Sequence, residues 1–331
     1  MATPPFAWRK LGRIFAPAGE HPWMRHFAQV PTPLLLPDRI RIFFTTRPDP
    51  EPDGSFVSVT TFLDVARDDP TRILRLHDRP VLGPGAVGAF DQFGAMPCSL
   101  RRVGDELWLY YVGWARARGV PWHSAVGLAV SHDDGLSFER RHRGPILTRT
   151  PDEPFVHGSP CVLDNASGDG RGLHLWYLSG TAWVESDVDG RVESIYRLMH
   201  ARSTDGVHWQ RDGREIVPPR SADECQARPA VLWHAGTAHL WFSWRHGVDF
   251  RNPQRGYGIG YAHSSDLQHW QRDDALAGLG RSVTGWDSEM VSYPSLLQLP
   301  AARGSGQQLL MFYCGNQMGR DGFGVAEVDL P

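Results

Sequence analysis

The sequence all but lacks lysine: Lys10 is its one lysine, and every other basic residue is an arginine. With no polybasic run and a formal net charge of −3, neither nucleic acid nor an anionic membrane surface is implied as a partner. Cysteine is nearly as scarce. Cys98, Cys161, Cys225 and Cys314 lie far apart without a CxxC pair, which argues against a cysteine zinc site and a disulfide scaffold and reads as buried reduced thiols on strands. No apolar stretch is long enough to span a bilayer, and Met1 to Arg13 lacks the apolar core of a signal peptide, so the expected location is the cytoplasm. A sustained 3.6-residue apolar period is missing as well, so helices should be few. What remains, 41% hydrophobic and 21% charged residues, is ordinary globular composition with enough apolar surface for a large core.

Repetition is what the sequence has instead. A tail motif recurs at Ser131 to Phe138 (SHDDGLSF), Ser203 to Trp209 (STDGVHW) and Ser264 to Trp270 (SSDLQHW). Its Asp and Gly suit a tight turn, and its aromatic opens the next strand. A second motif, a proline followed by a short apolar run, recurs at Pro33, Pro97, Pro160, Pro229 and Pro294. Each copy is followed by an aromatic-rich segment such as Leu107 to Val112 (LWLYYV) or His239 to Trp244 (HLWFSW). Short strands between turn signals, repeated at this interval, predict an all-β fold: a five-bladed β-propeller of four-stranded antiparallel blades. The blades are expected at 29–82, 90–147, 153–217, 223–276 and 287–330 of a single domain, 1–331. The fifth runs out of chain after three strands, while Trp8 to Pro17 matches Trp209 to Pro218 in its Trp-to-Pro spacing. The N-terminal segment 6–17 is therefore expected to close the last blade, which would also cover exposed strand edges. The competing arrangement is an open two-domain sandwich.

These blades, tails and aromatic strands together resemble the five-bladed glycosidase superfamily: arabinanases, invertases, levansucrases and β-mannoside phosphorylases, of the glycoside hydrolase family 43, 32 and 130 type. Trp286 to Met290 (WDSEM) and Phe312 to Asn316 (FYCGN) look like a bacterial glycosidase-related subgroup. The resemblance implies an Asp directly before the first-blade proline and a Glu two residues before the third-blade proline. Here those places hold Thr32 and Gly158, so the fold does not carry a hydrolase mechanism with it. Relatives of this architecture can hold a cation near the axis, but the histidines show no close ligand spacing and no EF-hand-like loop appears, so no metal site or other cofactor is expected.

Propeller topology brings the residues before each proline motif and after each aromatic strand to one mouth of the axis, where loops on a rigid scaffold carry function. The first group is Asp91, His157, Glu224, Arg228, Asp287 and Glu289; the second is Arg47, Asp49, Trp114, Trp183, Arg245, His246 and Asn316. Carboxylates can move protons and bind hydroxyls, and indoles suit apolar ring faces. Glycosidic cleavage needs an acid and a base or nucleophile; Glu289 and Asp91 are the expected principal pair, followed by Glu224 and His157. Carboxylates crowded at one mouth are expected to push at least one pKa upward. The other nine are expected to bind substrate, and Arg47, Arg228 and Arg245 suit bidentate contact with phosphate or carboxylate. The leading expectation is a carbohydrate-active enzyme that hydrolyses or phosphorolyses a glycosidic bond in an anionic or phosphate-bearing sugar or oligosaccharide. Its alternatives are an intracellular transferase using an activated sugar and a non-catalytic sugar-binding or interaction propeller.

Overall fold

The computed structural model describes residues 6–164, 172–300 and 306–330; residues 1–5 and 331 of the expected domain lie outside them, as do 165–171 of the third expected blade and 301–305 of the fifth. Strand β1 (Arg9–Phe15) precedes the first blade, which comprises β2 (His26–Leu35), β3 (Arg39–Arg47), β4 (Val59–Ala66) and β5 (Ile73–Leu76). The second blade is β6 (Gly94–Val103), β7 (Glu106–Arg116), β8 (Trp122–Ser131) and β9 (Glu139–Arg140). The third is β10 (His157–Asp164), β11 (Leu173–Glu185), β12 (Val192–Ser203) and β13 (Gln210–Glu215). The fourth is β14 (Cys225–His234), β15 (Thr237–Arg245), β16 (Gly258–Ser264) and β17 (Gln271–Arg272). The fifth takes β18 (Ser292–Leu299), β19 (Gln308–Cys314) and β20 (Phe323–Asp329), and β1 completes it as the outer strand.

Each sheet is antiparallel and four strands wide, and the inner strands β2, β6, β10, β14 and β18 contact one another around a ring. This excludes the open sandwich. The closing strand pairs Arg9 with Glu327 and Phe15 with Phe323. Gly322 admits it: a Cβ there would fall 2.0 Å from the Phe15 carbonyl oxygen, and its φ is +96°, a conformation costly for any other residue. Among the described residues the helical content is two short turns, Asp274–Leu276 and Asn316–Gly319.

The second strands are apolar on both sides because alternate residues enter different cores. Leu309, Met311 and Tyr313 of β19 pack toward the fourth blade, while Leu310, Phe312 and Cys314 pack toward the first. Leu107, Leu109 and Tyr111 of β7 likewise face the first blade, and Trp108 and Tyr110 the third. The tail motif is the turn between third and fourth strands. Ser131 Oγ meets Asp133 Oδ1 at 2.7 Å and accepts the Gly135 N–H at 2.8 Å, and Ser203 and Ser264 bond Asp205 and Asp266 at 3.0 Å.

Candidate functional site

The proline motif is a β-bulge at the start of each inner strand. In four blades the ladder skips two residues, the second of them proline, between Gln29 and Thr32, Gly158 and Cys161, Ala227 and Ala230, and Ser292 and Ser295. Proline has no N–H to give the ladder, and a bulge re-aims the side chain beside it. The residue before each proline is left-handed: Val30 (φ 57°), Ser159 (50°), Arg228 (51°) and Tyr293 (56°). This register corrects the sequence alignment of the first blade. Its bulge proline is Pro31, not Pro33, because Thr32 stands opposite Phe43 as Cys161 stands opposite Trp176. The residue before the first-blade proline is therefore Val30 rather than Thr32, and Gly158 keeps its expected place. Neither is acidic. On all five inner strands the one carboxylate is Asp164, the last residue of β10, where it pairs with Arg101 at 2.7 Å at the end remote from the mouth.

Cationic residues occupy the axis instead. Arg228 is 2% exposed and crosses from the fourth blade to the Cys98 carbonyl (2.6 Å), the Pro31 carbonyl (3.2 Å) and Thr32 Oγ1 (3.0 Å). A cavity of about 120 Å³ runs beside it, lined by residues of all five inner strands, including Thr32, Ser99, Cys161, Ala230 and Ser295. Burial pushes the Cys98 thiol up to about 11 against the pull of Arg228, so this axial thiol is protonated and inert. Nearer the mouth, Arg47 lies over the Phe27 ring at 4.5 Å and donates to Gln29 Oε1 at 2.9 Å. Burial lowers the Arg47 guanidinium to about 10 although the Tyr293 phenol opposes the shift. Arg245 is fully caged: Nε donates to the hydroxyls of Tyr196 (3.0 Å) and Tyr257 (3.1 Å), and its Nη atoms donate to the carbonyls of Ser194, His246 and Gly247. Burial works against its charge, but the surrounding phenols and the Cys225 thiol outweigh it and hold the guanidinium well above its ordinary value. Among the described residues none of these three arginines is ion-paired with a carboxylate.

Most of the nominated carboxylates are held inside their blades by a repeated latch: an acid before the inner strand, a tyrosine on the second strand and a cation on the outer strand. Asp91 Oδ2 accepts from Tyr111 (2.9 Å) and Arg140 (2.6 Å). Asp287 Oδ2 accepts from Tyr313 (3.0 Å) and Lys10 (2.6 Å). In the fourth blade Phe242 stands at the tyrosine position; Gln226 supplies the donor to Glu224 at 2.9 Å and Arg272 the cation at 2.7 Å. Glu224 is thus paired with Arg272, and at 3.5 Å with Arg220, rather than with Arg228. The third blade uses a residue the sequence reading missed, Glu153, which meets Tyr177 (2.9 Å), Arg211 (3.2 Å) and the fully buried His157 (2.9 Å). Burial raises the Glu153 carboxyl, but hydrogen bonds from His157 and the charge of Arg211 outweigh it and hold it below the usual range. The expected crowding of Asp91, Glu224 and Asp287 is replaced by separate engagement in three blades. The signal was present: two residues after each tail aromatic, or after Trp8, stands Arg140, Arg211, Arg272 or Lys10.

Glu289 differs. It is partly exposed, its carboxylate accepts from Gln317 Nε2 at 3.2 Å, and the same Nε2 reaches the Arg251 carbonyl at 3.1 Å. Arg251 lines an open depression of about 700 Å³ on the mouth face with Ser55, Arg118, Trp122, Arg191 and Glu193, residues of the connections between second and third strands and of the first residues of β8 and β12. Asn316 fixes the loop before β18, accepting the N–H groups of Glu289 (2.8 Å) and Met290 (3.3 Å). Asp49 is on the surface with His26 at 2.9 Å, and His246 faces Asp223 at 3.4 Å. Trp114 bonds Ser58 at 3.3 Å, and Trp183 packs edge-on against Trp122. Tyr196, Tyr257 and Tyr293, absent from the sequence-derived candidates, cluster beside Arg245: the Tyr196 and Tyr257 hydroxyls are 2.7 Å apart, and the Tyr257 and Tyr293 rings are 5.3 Å apart. Among the described residues no group of three or more His, Cys, Asp or Glu is placed to hold a metal ion, and no helix is long and apolar enough to cross a membrane.

Two proteins of Mycobacterium tuberculosis, Uncharacterized protein Rv1502 (strain H37Rv) and Uncharacterized protein MT1551 (strain CDC 1551), are each 37% identical to this chain over 325 residues, covering 98% of it and 99% of the relative. The chain belongs to their family. No protein-family model matches it. The family's fold is that of a glycosyl hydrolase from Bacteroides ovatus (TM-score 0.69, 15% identity, 99% of this chain and 94% of the other). A thermostable family-43 glycoside hydrolase (TM-score 0.58, 14% identity, 95% and 91%) and the Bombyx mori GH32 β-fructofuranosidase BmSUC1 (TM-score 0.56, 15% identity, 92% and 61%) share it. In this member of the family, the geometry offers buried arginines with unpaired positive charge, aromatic side chains, and a carboxylate, Glu289, that has no cationic partner among the described residues.

Proposed function

We propose that the protein is a carbohydrate-active propeller whose axial mouth receives a sugar, and that recognition is what this mouth is built for. The observation that carries the reading is the emptiness of the acid positions: the mouth-side halves of the inner strands bear no carboxylate, and Asp91, Glu224 and Asp287 are engaged by cations within their own blades. Cleavage by paired carboxyls needs the two groups roughly 5–10 Å apart across the bond, and these residues offer no such free pair. The shared fold with glycoside hydrolases supports a sugar as the ligand. A glycan array carrying neutral and acidic oligosaccharides tests this reading. Retention of one glycan class by the folded protein is expected, and retention of none removes it.

Glu289 supports a second reading, catalysis of glycosidic cleavage, because its carboxylate meets only Gln317 among the described residues. If the protein turns over a retained glycan, Glu289→Gln is expected to leave binding intact and lower turnover by roughly a hundredfold or more, the size expected for loss of a general acid or base. Full turnover in that variant would withdraw the catalytic role.

A further inference from the structure

We propose that the axial cavity beside Arg228 binds a small monovalent anion of the halide class, with chloride as its common member. The site goes beyond the sugar-binding reading and does not rest on it.

The cation comes first. Arg228 is 2% exposed, and its guanidinium carries five N–H groups. Nη1 donates to the Cys98 carbonyl at 2.6 Å, and Nη2 to the Pro31 carbonyl at 3.2 Å and to Thr32 Oγ1 at 3.0 Å. The Thr32 hydroxyl can accept there because its own proton goes to the Val30 carbonyl (3.0 Å) or the Pro97 carbonyl (3.2 Å). Arg228 Nε is buried with no partner among the described residues. Carbonyls satisfy hydrogen bonds but leave the net charge standing, and an isolated buried charge is costly unless a counter-charge meets it.

The cavity supplies no such counter-charge from the protein. It measures about 120 Å³ and is lined from all five inner strands, and Arg228 is the one charged residue in its lining. The two lining thiols cannot neutralise it as thiolates, because burial raises both, Cys98 to about 11. What the lining adds is donors. Ser99 Oγ accepts the Val162 N–H at 3.0 Å, and its own proton meets only the Val162 carbonyl at 3.5 Å, a long contact that leaves it available. Ser295 contributes a second hydroxyl from the fifth blade, and Ser295 and Cys161 are partly exposed, which gives the cavity a way to solvent.

Size and charge then select the ligand. A water molecule takes up roughly 30 Å³, so the cavity suits a single halide with a few waters, while sugar sites need roughly 300 Å³ or more. One uncompensated positive charge matches one negative charge. A cation would be repelled by Arg228 and would find no carboxylate, imidazole or thiolate in the lining.

Melting curves of the whole protein at constant ionic strength test the site, with sodium chloride replacing sodium gluconate, whose anion is too large for the cavity. An ion that binds only the folded chain stabilises it by mass action; for a dissociation constant of about 1 mM, the midpoint should rise by roughly 3 °C between about 1 and 100 mM chloride and then level off. Bromide should act in the same way, and crystals grown with bromide should show an anomalous-scattering peak in the cavity beside the Arg228 guanidinium. Arg228→Met should abolish the response. Where that variant fails to fold, Ser295→Leu, which narrows the cavity and keeps the cation, should weaken the response tenfold or more. A midpoint indifferent to chloride, a rise that never saturates, or the same rise in the variant would overturn the proposal. So would a bromide peak found only outside the cavity, and phosphate matching chloride at equal concentration would overturn the halide class.

Discussion

Asp91→Asn separates a latch from a catalyst by stability alone. The Asp91 side chain is buried, with Oδ2 shared by Tyr111 and Arg140 and Oδ1 unpartnered among the described residues. Asparagine is nearly isosteric and can present its oxygen at the Oδ2 position, so both hydrogen bonds can persist as neutral ones. Loss of the charge-assisted component costs roughly 1–2 kcal/mol, and the new NH₂ group placed where Oδ1 was, buried without an acceptor, costs a further 1–3 kcal/mol. A destabilisation of about 3 kcal/mol follows. At an unfolding entropy of about 2 cal/mol/K per residue, a chain of 331 residues should lose about 4 °C in its calorimetric midpoint. Tyr111→Phe removes one of the two hydrogen bonds, and its effect should fall well short of additivity with Asp91→Asn, because both act on one buried network. Lys10→Gln, at the partly exposed equivalent in the fifth blade, should cost less. An Asp91→Asn protein that melts within 1 °C of the parent, or a fully additive double variant, would refute the latch.

Deleting residues 1–17 should abolish cooperative folding, since β1 and its flank bury Phe6, Trp8, Ile14 and Phe15 at roughly 1.5–3 kcal/mol each, of the order of a whole domain's stability; an unchanged melting transition in the truncated protein would count against closure. Stability should also fall in acid through His239, whose imidazole burial, then the charges of His234 and His263, lower to about 4. Below its ordinary value of 6.5 the unfolded chain takes up a proton that the folded one refuses, so this contribution is present at neutral pH and is lost as pH falls from 6.5 toward 4. Melting curves between pH 7 and 4 should show a shallower decline for His239→Phe, and an unaltered pH slope would dismiss the assignment.

The architecture was legible because it is repeated. Five proline motifs and five aromatic strands each report one blade, and the match of Trp8 to Trp209 located the closing strand. The site was legible only to the level of which loops reach the mouth. Asp91, Glu224 and Asp287 stand just before inner strands, but Arg140, Arg272 and Lys10 of the outer strands draw their carboxylates into the blades, a pairing that spans 48 residues or more. Val30-Pro31-Thr32-Pro33 offers two prolines to a motif search, and only pairing across β2 and β3 selects the first. Tyr293 was within reach of the same reasoning: it precedes Pro294 as Arg228 precedes Pro229. The pairing of Tyr196 with Tyr257 was not, since it joins residues 61 positions apart.

The strained positions carry the argument about function furthest. A left-handed backbone at a residue other than glycine costs of order 1–3 kcal/mol and is retained where the surroundings gain from it. Four blades of this propeller retain one, at the same step of the inner strand. In the fourth, the gain is visible: the turn sends Arg228 across the axis to carbonyls of the first and second blades, so one side chain joins three blades. In the fifth, it packs the Tyr293 ring against that of Tyr257, with centroids 5.3 Å apart. In the first, the position that the glycosidase resemblance would fill with Asp holds Val30, a β-branched residue for which this conformation is especially unfavourable. The backbone device is thus kept where the acid is not, and of the four side chains it redirects the one that is charged is a cation, Arg228.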